Sequence, residues 1–181
     1  MKKFLLIILC IVFAFSGCQS LEKAEPFYPE TGENIEFKTE YKYYFSDETN
    51  ILCLWTNLTE ENIFFHDTFQ LHKLGDDGEW YVVGDLEKAE FKTDYSHFVE
   101  PGEKFTSNAR YDITKFSAKL ENGETYRIST YYFDGSDNHY QVYAEFTCDN
   151  KLAEEEMLEI SEGASDGRTT EFENQVFDFY K

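Results

Sequence analysis

Residues Asn50-Ile51-Leu52-Cys53-Leu54-Trp55-Thr56-Asn57-Leu58 carry an unbroken apolar run from Ile51 to Trp55. In an extended chain alternate side chains point to opposite faces, so Ile51, Cys53 and Trp55 share one face while Leu52, Leu54 and Thr56 share the other. A strand that is apolar on both faces is covered on both, which predicts a central strand. The same period of two runs outward from this segment, from Asn34 to Cys148, in short stretches rich in Tyr, Phe, Val, Ile and Thr.

Strands are predicted at Ile35 to Phe45, Asn50 to Leu58, Thr68 to Leu74, Trp80 to Asp85, Glu90 to Tyr95, Lys104 to Asp112, Thr125 to Phe133 and Tyr140 to Cys148. Between them stand Ser46-Asp47-Glu48, Asp76-Asp77-Gly78, Pro101-Gly102, Asn122-Gly123 and Asp134 to Asn138, residue types that adopt positive φ or bond their own backbone. Eight short strands in about 115 residues, without helical patterning, predict an all-β fold, an antiparallel sandwich. In the last strand Val142, Ala144, Phe146 and Cys148 alternate with Tyr143, Glu145 and Thr147, one face in and one face out.

Leu120-Glu121-Asn122-Gly123-Glu124-Thr125-Tyr126 combines an apolar residue, a glycine turn and a tyrosine that opens a strand. These are the ingredients of a tyrosine corner, in which the phenol bonds backbone a few residues upstream and pins a crossover between sheets. The alternative is a strand tyrosine held by packing alone.

The order Thr56-Asn57-Leu58-Thr59, Asp77-Gly78-Glu79-Trp80-Tyr81, Val99-Glu100-Pro101-Gly102-Glu103, Gly123-Glu124-Thr125-Tyr126-Arg127-Ile128 and Ala144-Glu145-Phe146 resembles a bacterial immunoglobulin-like domain family, over Ile35 to Cys148. The resemblance implies an immunoglobulin-like β-sandwich in an exported bacterial protein, commonly a lipoprotein. It brings no catalytic residues.

Upstream, Met1-Lys2-Lys3 precedes the uncharged run Phe4 to Phe15 and the small-residue exit Ser16-Gly17-Cys18. A basic start, a short apolar run and a small-residue exit predict a secretory signal peptide over 1–17. The run falls short of the roughly 20 apolar residues that span a membrane. Phe15-Ser16-Gly17-Cys18 is similar to the lipobox of bacterial lipoproteins, in which the cysteine receives a diacylglyceryl thioether and the peptide is cut before it. Cys18 is therefore the expected lipid anchor. Two or three acyl chains, at about 0.8 kcal/mol per buried methylene, hold a protein stably where one does not. Residues 18–33 are polar, with Pro26, Pro29 and Gly32, and predict a lipidated tether, the alternative being a strand around Glu25 to Tyr28.

The sandwich is expected over 34–148, and residues 149–181 form an acidic C-terminal extension. There Ala153, Met157 and Ile160 fall at i, i+4 and i+7, which predicts one or two amphipathic helical turns. Phe172, Val176, Phe177, Phe179 and Tyr180 predict an end that docks on the sandwich or binds a partner peptide-fashion.

Across the chain 36 acidic residues face 16 basic ones, a net charge of −20, with 41% hydrophobic and 18% aromatic residues. The apolar content predicts a folded domain rather than a disordered one. The charge excludes nucleic acid as a partner and also a polybasic membrane contact.

Once Cys10 leaves with the signal and Cys18 is lipidated, Cys53 and Cys148 remain. Either they form a disulfide, closing a loop of about 95 residues for on the order of 4 kcal/mol, or they are two buried thiols. His66, His72, His97 and His139 lack zinc-site spacing and are read as loop histidines. Asp134 to Asn138 lacks the ligand order of a calcium loop and, like Asp76 to Glu79, reads as a polar turn. Asn57-Leu58-Thr59 fits a glycosylation sequon but is read as a strand exit with an Asn turn. No phosphate loop, nucleophile elbow or H-E-x-x-H motif occurs, so no catalytic residue, metal or cofactor is assigned and the protein is not read as an enzyme. Trp55, Trp80 and Tyr126 are read as structural.

The expectation is a membrane-anchored, extracytoplasmic lipoprotein whose non-catalytic module binds or associates with the envelope. Its partners are the membrane, through lipid on Cys18, and a protein or peptide. Two rivals stay open: a regulatory or sensory accessory lipoprotein acting on a membrane protein or protease, and a carbohydrate-binding sandwich motivated by the many Tyr and the two Trp.

Overall fold

The computed structural model describes residues 21–26, 29, 34–66, 68–83, 96–101, 107–116 and 119–165. Within them the chain forms β1 (Ile35–Thr39), β2 (Tyr43–Tyr44), β3 (Asn50–Asn57), β4 (Ile63–His66), β5 (Gln70–Leu74), β6 (Trp80–Val82), β7 (Ser96–Val99), β8 (Ser107–Asp112), β9 (Thr125–Phe133), β10 (His139–Cys148) and the helix α1 (Asn150–Ser165). Two sheets result. The smaller is β1-β3-β8, all antiparallel, with β3 in the middle as its two-sided apolar pattern requires. The larger is built on the β9–β10 hairpin, whose register runs unbroken from Thr125–Thr147 to Phe133–His139.

On the far side of β9, two short strands divide the flank. β4 pairs with its C-terminal end through Phe64–Phe133 and Phe65–Tyr132, and β5 pairs with its N-terminal half from Gln70–Ser129 to Lys73–Tyr126. Between the pairs Phe65–Tyr132 and Gln70–Ser129 the register along β9 shifts by two residues, so a bulge separates β4 from β5. The bulge turns Phe69 into the core, edge-on to Tyr111 at 5.0 Å and to Phe116 at 4.9 Å, while the Thr130 hydroxyl donates to the Thr68 carbonyl. Outside the fork, β7 pairs with β4 and β6 pairs with β5.

Ile51, Cys53 and Trp55 are fully buried between the sheets. The Trp55 ring stacks on Phe65 at 4.7 Å, tilts against Phe37 at 4.5 Å and meets Tyr132 edge-on at 6.2 Å. Three strands from both sheets thus converge on one indole, and each such pair adds about 0.5–1.5 kcal/mol beyond its buried area.

The segment expected as one strand from Ile35 to Phe45 is two. At Glu40 to Lys42 the chain leaves the smaller sheet, where the Glu40 N–H donates to the Leu52 carbonyl, and enters the larger one, where the Lys42 carbonyl accepts from Thr147. β2 then runs parallel to β10 through Tyr43–Thr147 and Tyr44–Cys148. β4 and β7 are strands that the sequence reading left unassigned, and the strand expected at Glu90 to Tyr95 lies outside the described residues.

The helix is longer than the expected turn or two. Asp149 caps it, its carboxylate accepting from the N–H groups of Lys151 and Leu152. Ala153 is the buried residue of its inner face. Met157, expected on that face, is 38% exposed; Glu156 holds the face, accepting from the N–H groups of Lys42 and Tyr43 at the sheet switch.

The described part of the expected tether lies on the sandwich. Lys23 bridges to Tyr81, with the Val82 N–H donating to the Glu22 carbonyl and the Ala24 N–H to the Trp80 carbonyl, both at 2.8 Å. The Pro29 carbonyl accepts from Gln141 of β10, also at 2.8 Å. Backbone groups of this stretch therefore bond to opposite margins of the larger sheet.

Candidate functional site

Cys18 and the aromatic C-terminal residues lie outside the described residues. Cys53 and Cys148 are both buried and free, so the bridge weighed from the sequence is not formed. The cause is visible in the ladder. Tyr44, which pairs with Cys148 in the larger sheet, sends its hydroxyl across the core to the Leu52 carbonyl, beside Cys53 in the smaller one. An aromatic ring thus stands between the layers beside the two thiols. Burial raises the Cys53 thiol, and burial reinforced by Asp149 pushes Cys148 up to about 11, so both are protonated and unreactive at neutral pH.

Tyr126 makes the tyrosine-corner bond: its hydroxyl accepts from the Glu121 N–H at 2.8 Å, five residues upstream. Gly123, at φ +91, supplies the left-handed residue of that loop. Trp55 is core. Trp80 is half-buried on the outer face of the larger sheet, where the Arg127 guanidinium lies over its ring at 4.4 Å and over the Tyr143 ring at 4.1 Å.

Arg127 belongs to a buried polar layer on that outer face. Its Nε donates to His72 Nδ1 at 3.0 Å, His72 Nε2 donates to Gln70 Oε1 at 2.8 Å, and Gln141 Nε2 donates to Ser129 Oγ at 2.6 Å. Gln70, His72, Ser129 and Gln141 are all buried. With both ring nitrogens committed, His72 is held neutral. Burial first, then the Arg127 charge, lowers its pKa to about 4. A histidine pinned in this way is neither a general base nor a metal ligand.

The pH consequence has a definite sign. Between about pH 6.5 and about pH 4 the unfolded chain takes up a proton that folded His72 refuses, so stability is intact above this window and declines as pH falls through it. The expected loss is on the order of 3 kcal/mol, read as a falling melting temperature, and His72→Gln should flatten the profile.

The other histidines also lie in strands rather than loops: His66 ends β4, His97 is in β7 and His139 opens β10. Among the described residues, no group of three or more His, Cys, Asp or Glu is placed to hold a metal ion. The carboxylates of the two acidic hairpins serve their own turns. Asp134 accepts from the N–H groups of Ser136 and Asn138 and from Asn138 Nδ2, bonds that hold its pKa down. Asp77 accepts from the Tyr81 hydroxyl and the Glu79 N–H, with the same effect.

At the end of the sandwich where β3 hands over to β4, Asn57 is fully buried. Its Nδ2 donates to the carbonyls of Glu61 at 2.7 Å and Val99 at 3.0 Å, and its Oδ1 accepts from the Thr59 N–H at 3.0 Å. This is the Asn turn expected from the sequence, and it leaves the sequon nitrogen no room for a glycan. Beside it a cavity of about 300 Å³ opens between Ile35, Ile63, Tyr132 and Tyr140, with Glu61 and Asp134 at its wall.

On the outer face at the same end, one cross-strand row is aromatic. Phe98 pairs with Phe64 across β7 and β4, Phe64 stacks on Phe133 of β9 at 5.3 Å, and Phe133 stacks on His139 of β10 at 5.6 Å. Neither the polar layer nor this row was assigned from the sequence. Each is the outward half of an alternation, and nothing in an alternation says whether the outward half is covered.

A family model described as bacterial Ig-like domain matches residues 31–147. No curated protein matches the chain.

Proposed function

The chain belongs to the bacterial Ig-like domain family, and from that premise we propose that it is a lipid-anchored, extracytoplasmic module that acts by contact rather than by catalysis. Domains of this family are generally non-catalytic. Three strongly perturbed groups, His72, Cys53 and Tyr44, are spent on internal bonds and packing.

The observation that carries the anchored reading is the bonding of Glu22 and Ala24 to β6. Only three residues separate Cys18 from a residue already integral to the sandwich. Acyl chains on Cys18 would therefore fix the whole domain at the bilayer. The acidic hairpin Asp76 to Glu79 lies at the opposite end of the sheet from the Asn57 loop, where its exposed side chains face a basic protein or peptide partner.

Mass spectrometry of the membrane-extracted protein tests this. The expected N-terminal peptide begins at Cys18 and carries a diacylglyceryl group, and Cys18→Ala moves the protein into the soluble fraction. A product without lipid, or one whose membrane association survives Cys18→Ala, would overturn the proposal.

A further inference from the structure

We propose that the cavity at the end of the sandwich, between the β3–β4 loop and the β9–β10 hairpin, is a binding site for an arginine side chain of a protein or peptide partner. The inference goes beyond the anchored reading and stands without it. It assigns a recognition point at the end of the larger sheet opposite the Asp76 to Glu79 hairpin.

Both sheets build its wall. Ile35 opens β1 of the smaller sheet and Ile63 opens β4 of the larger one. Tyr132 and Tyr140 are paired across β9 and β10, their rings stacked at 5.2 Å, so the wall is aromatic as well as aliphatic. The volume of about 300 Å³ stands at the lower bound of ligand sites, which run from about 300 to about 1,000 Å³. That is room for one long side chain rather than for an oligosaccharide or a large cofactor.

Charge selects which side chain. Glu61 reaches the hairpin from the β3–β4 loop: its Oε2 lies 4.0 Å from where a β-carbon would stand on Gly135, the residue after Asp134. Two carboxylates from separate loops are thus held at one cavity, and none of its lining residues is basic. The Glu61 carboxylate has no hydrogen bond or ion pair among the described residues. Asp134 is kept ionised by the bonds it accepts within its hairpin, none of them from a lysine or arginine. Like charges so placed repel each other, and a cation seated between them turns repulsion into attraction. A metal ion does not fit, because no group of three or more His, Cys, Asp or Glu stands together among the described residues. An ammonium would use the carboxylates alone. A guanidinium bonds carboxylates through its N–H groups and stacks its plane on a tyrosine, while its aliphatic stem lies along apolar wall such as Ile35 and Ile63. The net charge of −20 favours the approach of such a partner.

The test titrates the full chain, held in mild detergent, with N-acetylarginine amide and with N-acetylcitrulline amide, its neutral counterpart of nearly the same shape, by isothermal titration calorimetry. The arginine compound is expected to bind saturably, one per chain, and more tightly than the citrulline compound by about fivefold or more. Glu61→Gln, which removes a charge that no bond in the described fold uses, is expected to weaken binding by about fivefold or more. Tyr140→Leu is expected to weaken it by about threefold or more. Glu145→Gln, an exposed carboxylate further along β10, is expected to leave it unchanged. Equal weakening by Glu61→Gln and Glu145→Gln would show attraction to overall charge and overturn the site. Equal binding of the arginine and citrulline compounds, or no saturable binding, overturns it as well. None of these outcomes bears on the lipid at Cys18, which is read separately by mass.

Discussion

Trp55→Ala is expected to lower the stability of the domain by about 3–5 kcal/mol, the range for emptying a large buried aromatic site. The indole is fully buried and touches rings from β1, β4 and β9, so neither sheet alone can close over the space it would leave. For a domain whose total stability is on the order of 5–15 kcal/mol, that is a large share. Thermal unfolding followed by circular dichroism should show the midpoint falling by more than about 10 °C. Trp55→Phe should cost much less. It keeps a ring against Phe65 and removes Nε1, a buried N–H without a hydrogen-bond partner among the described residues. An unsatisfied buried donor costs about 1–3 kcal/mol, so its removal offsets part of the lost area. If alanine and phenylalanine were equally harmful, the indole's role as the meeting point of the two sheets would be wrong.

Asn57→Asp is expected to cost about 3 kcal/mol or more at neutral pH, although only one atom changes in kind. The retained oxygen still accepts from Thr59. The amide nitrogen, however, becomes a carboxylate oxygen facing the carbonyls of Glu61 and Val99, so two donated bonds turn into repulsions around a buried charge. Burial and those carbonyls raise the folded-state pKa of the substituted carboxyl above its unfolded value. The folded state then binds the extra proton, and the penalty shrinks as pH falls towards the unfolded value of about 4. Melting curves of variant and parent at about pH 8 and about pH 4.5 should therefore converge on the acid side; a constant difference would show that the side chain is not held between those carbonyls.

Much of this architecture was legible because its strands alternate cleanly. Asn50 to Asn57 is a strand buried on both faces as its pattern required, and in the last strand the buried Val142, Ala144, Phe146 and Cys148 are the face the pattern named. The tyrosine corner was legible as a local motif, though only coordinates could choose between the bond to Glu121 and packing alone. What failed was whatever depends on partners rather than period. Ile35 to Phe45 keeps its apolar rhythm while passing from one sheet to the other, since Tyr44 is as well buried in the larger sheet as Phe37 is at the layer interface. Ile63–His66 and Ser96–Val99 are four residues each, too short for a period to declare itself against their acidic and turn-rich flanks.

The helix was underestimated for a related reason. Its inner face is held by the Glu156 carboxylate on two backbone donors and by a small alanine, so the apolar stripe that usually marks a packed helix is thin. The polar layer around His72 and Arg127 was invisible because its members look like ordinary solvent-facing residues until the N-terminal residues are seen bonded to both margins of the sheet. Proline and acidic side chains in 18–33 suggested free chain, yet main-chain bonds need no particular side chain.

The fork along β9 bears on how copies behave when crowded. Because β4 and β5 divide that flank, its outer margin is two short runs in place of one long one: four residues in β7 and three in β6, the latter already bonded to Glu22 and Ala24. A long flat row of open peptide groups is what lets one molecule template fibres on its neighbour. Among the described residues, molecules packed side by side meet no such row on this flank.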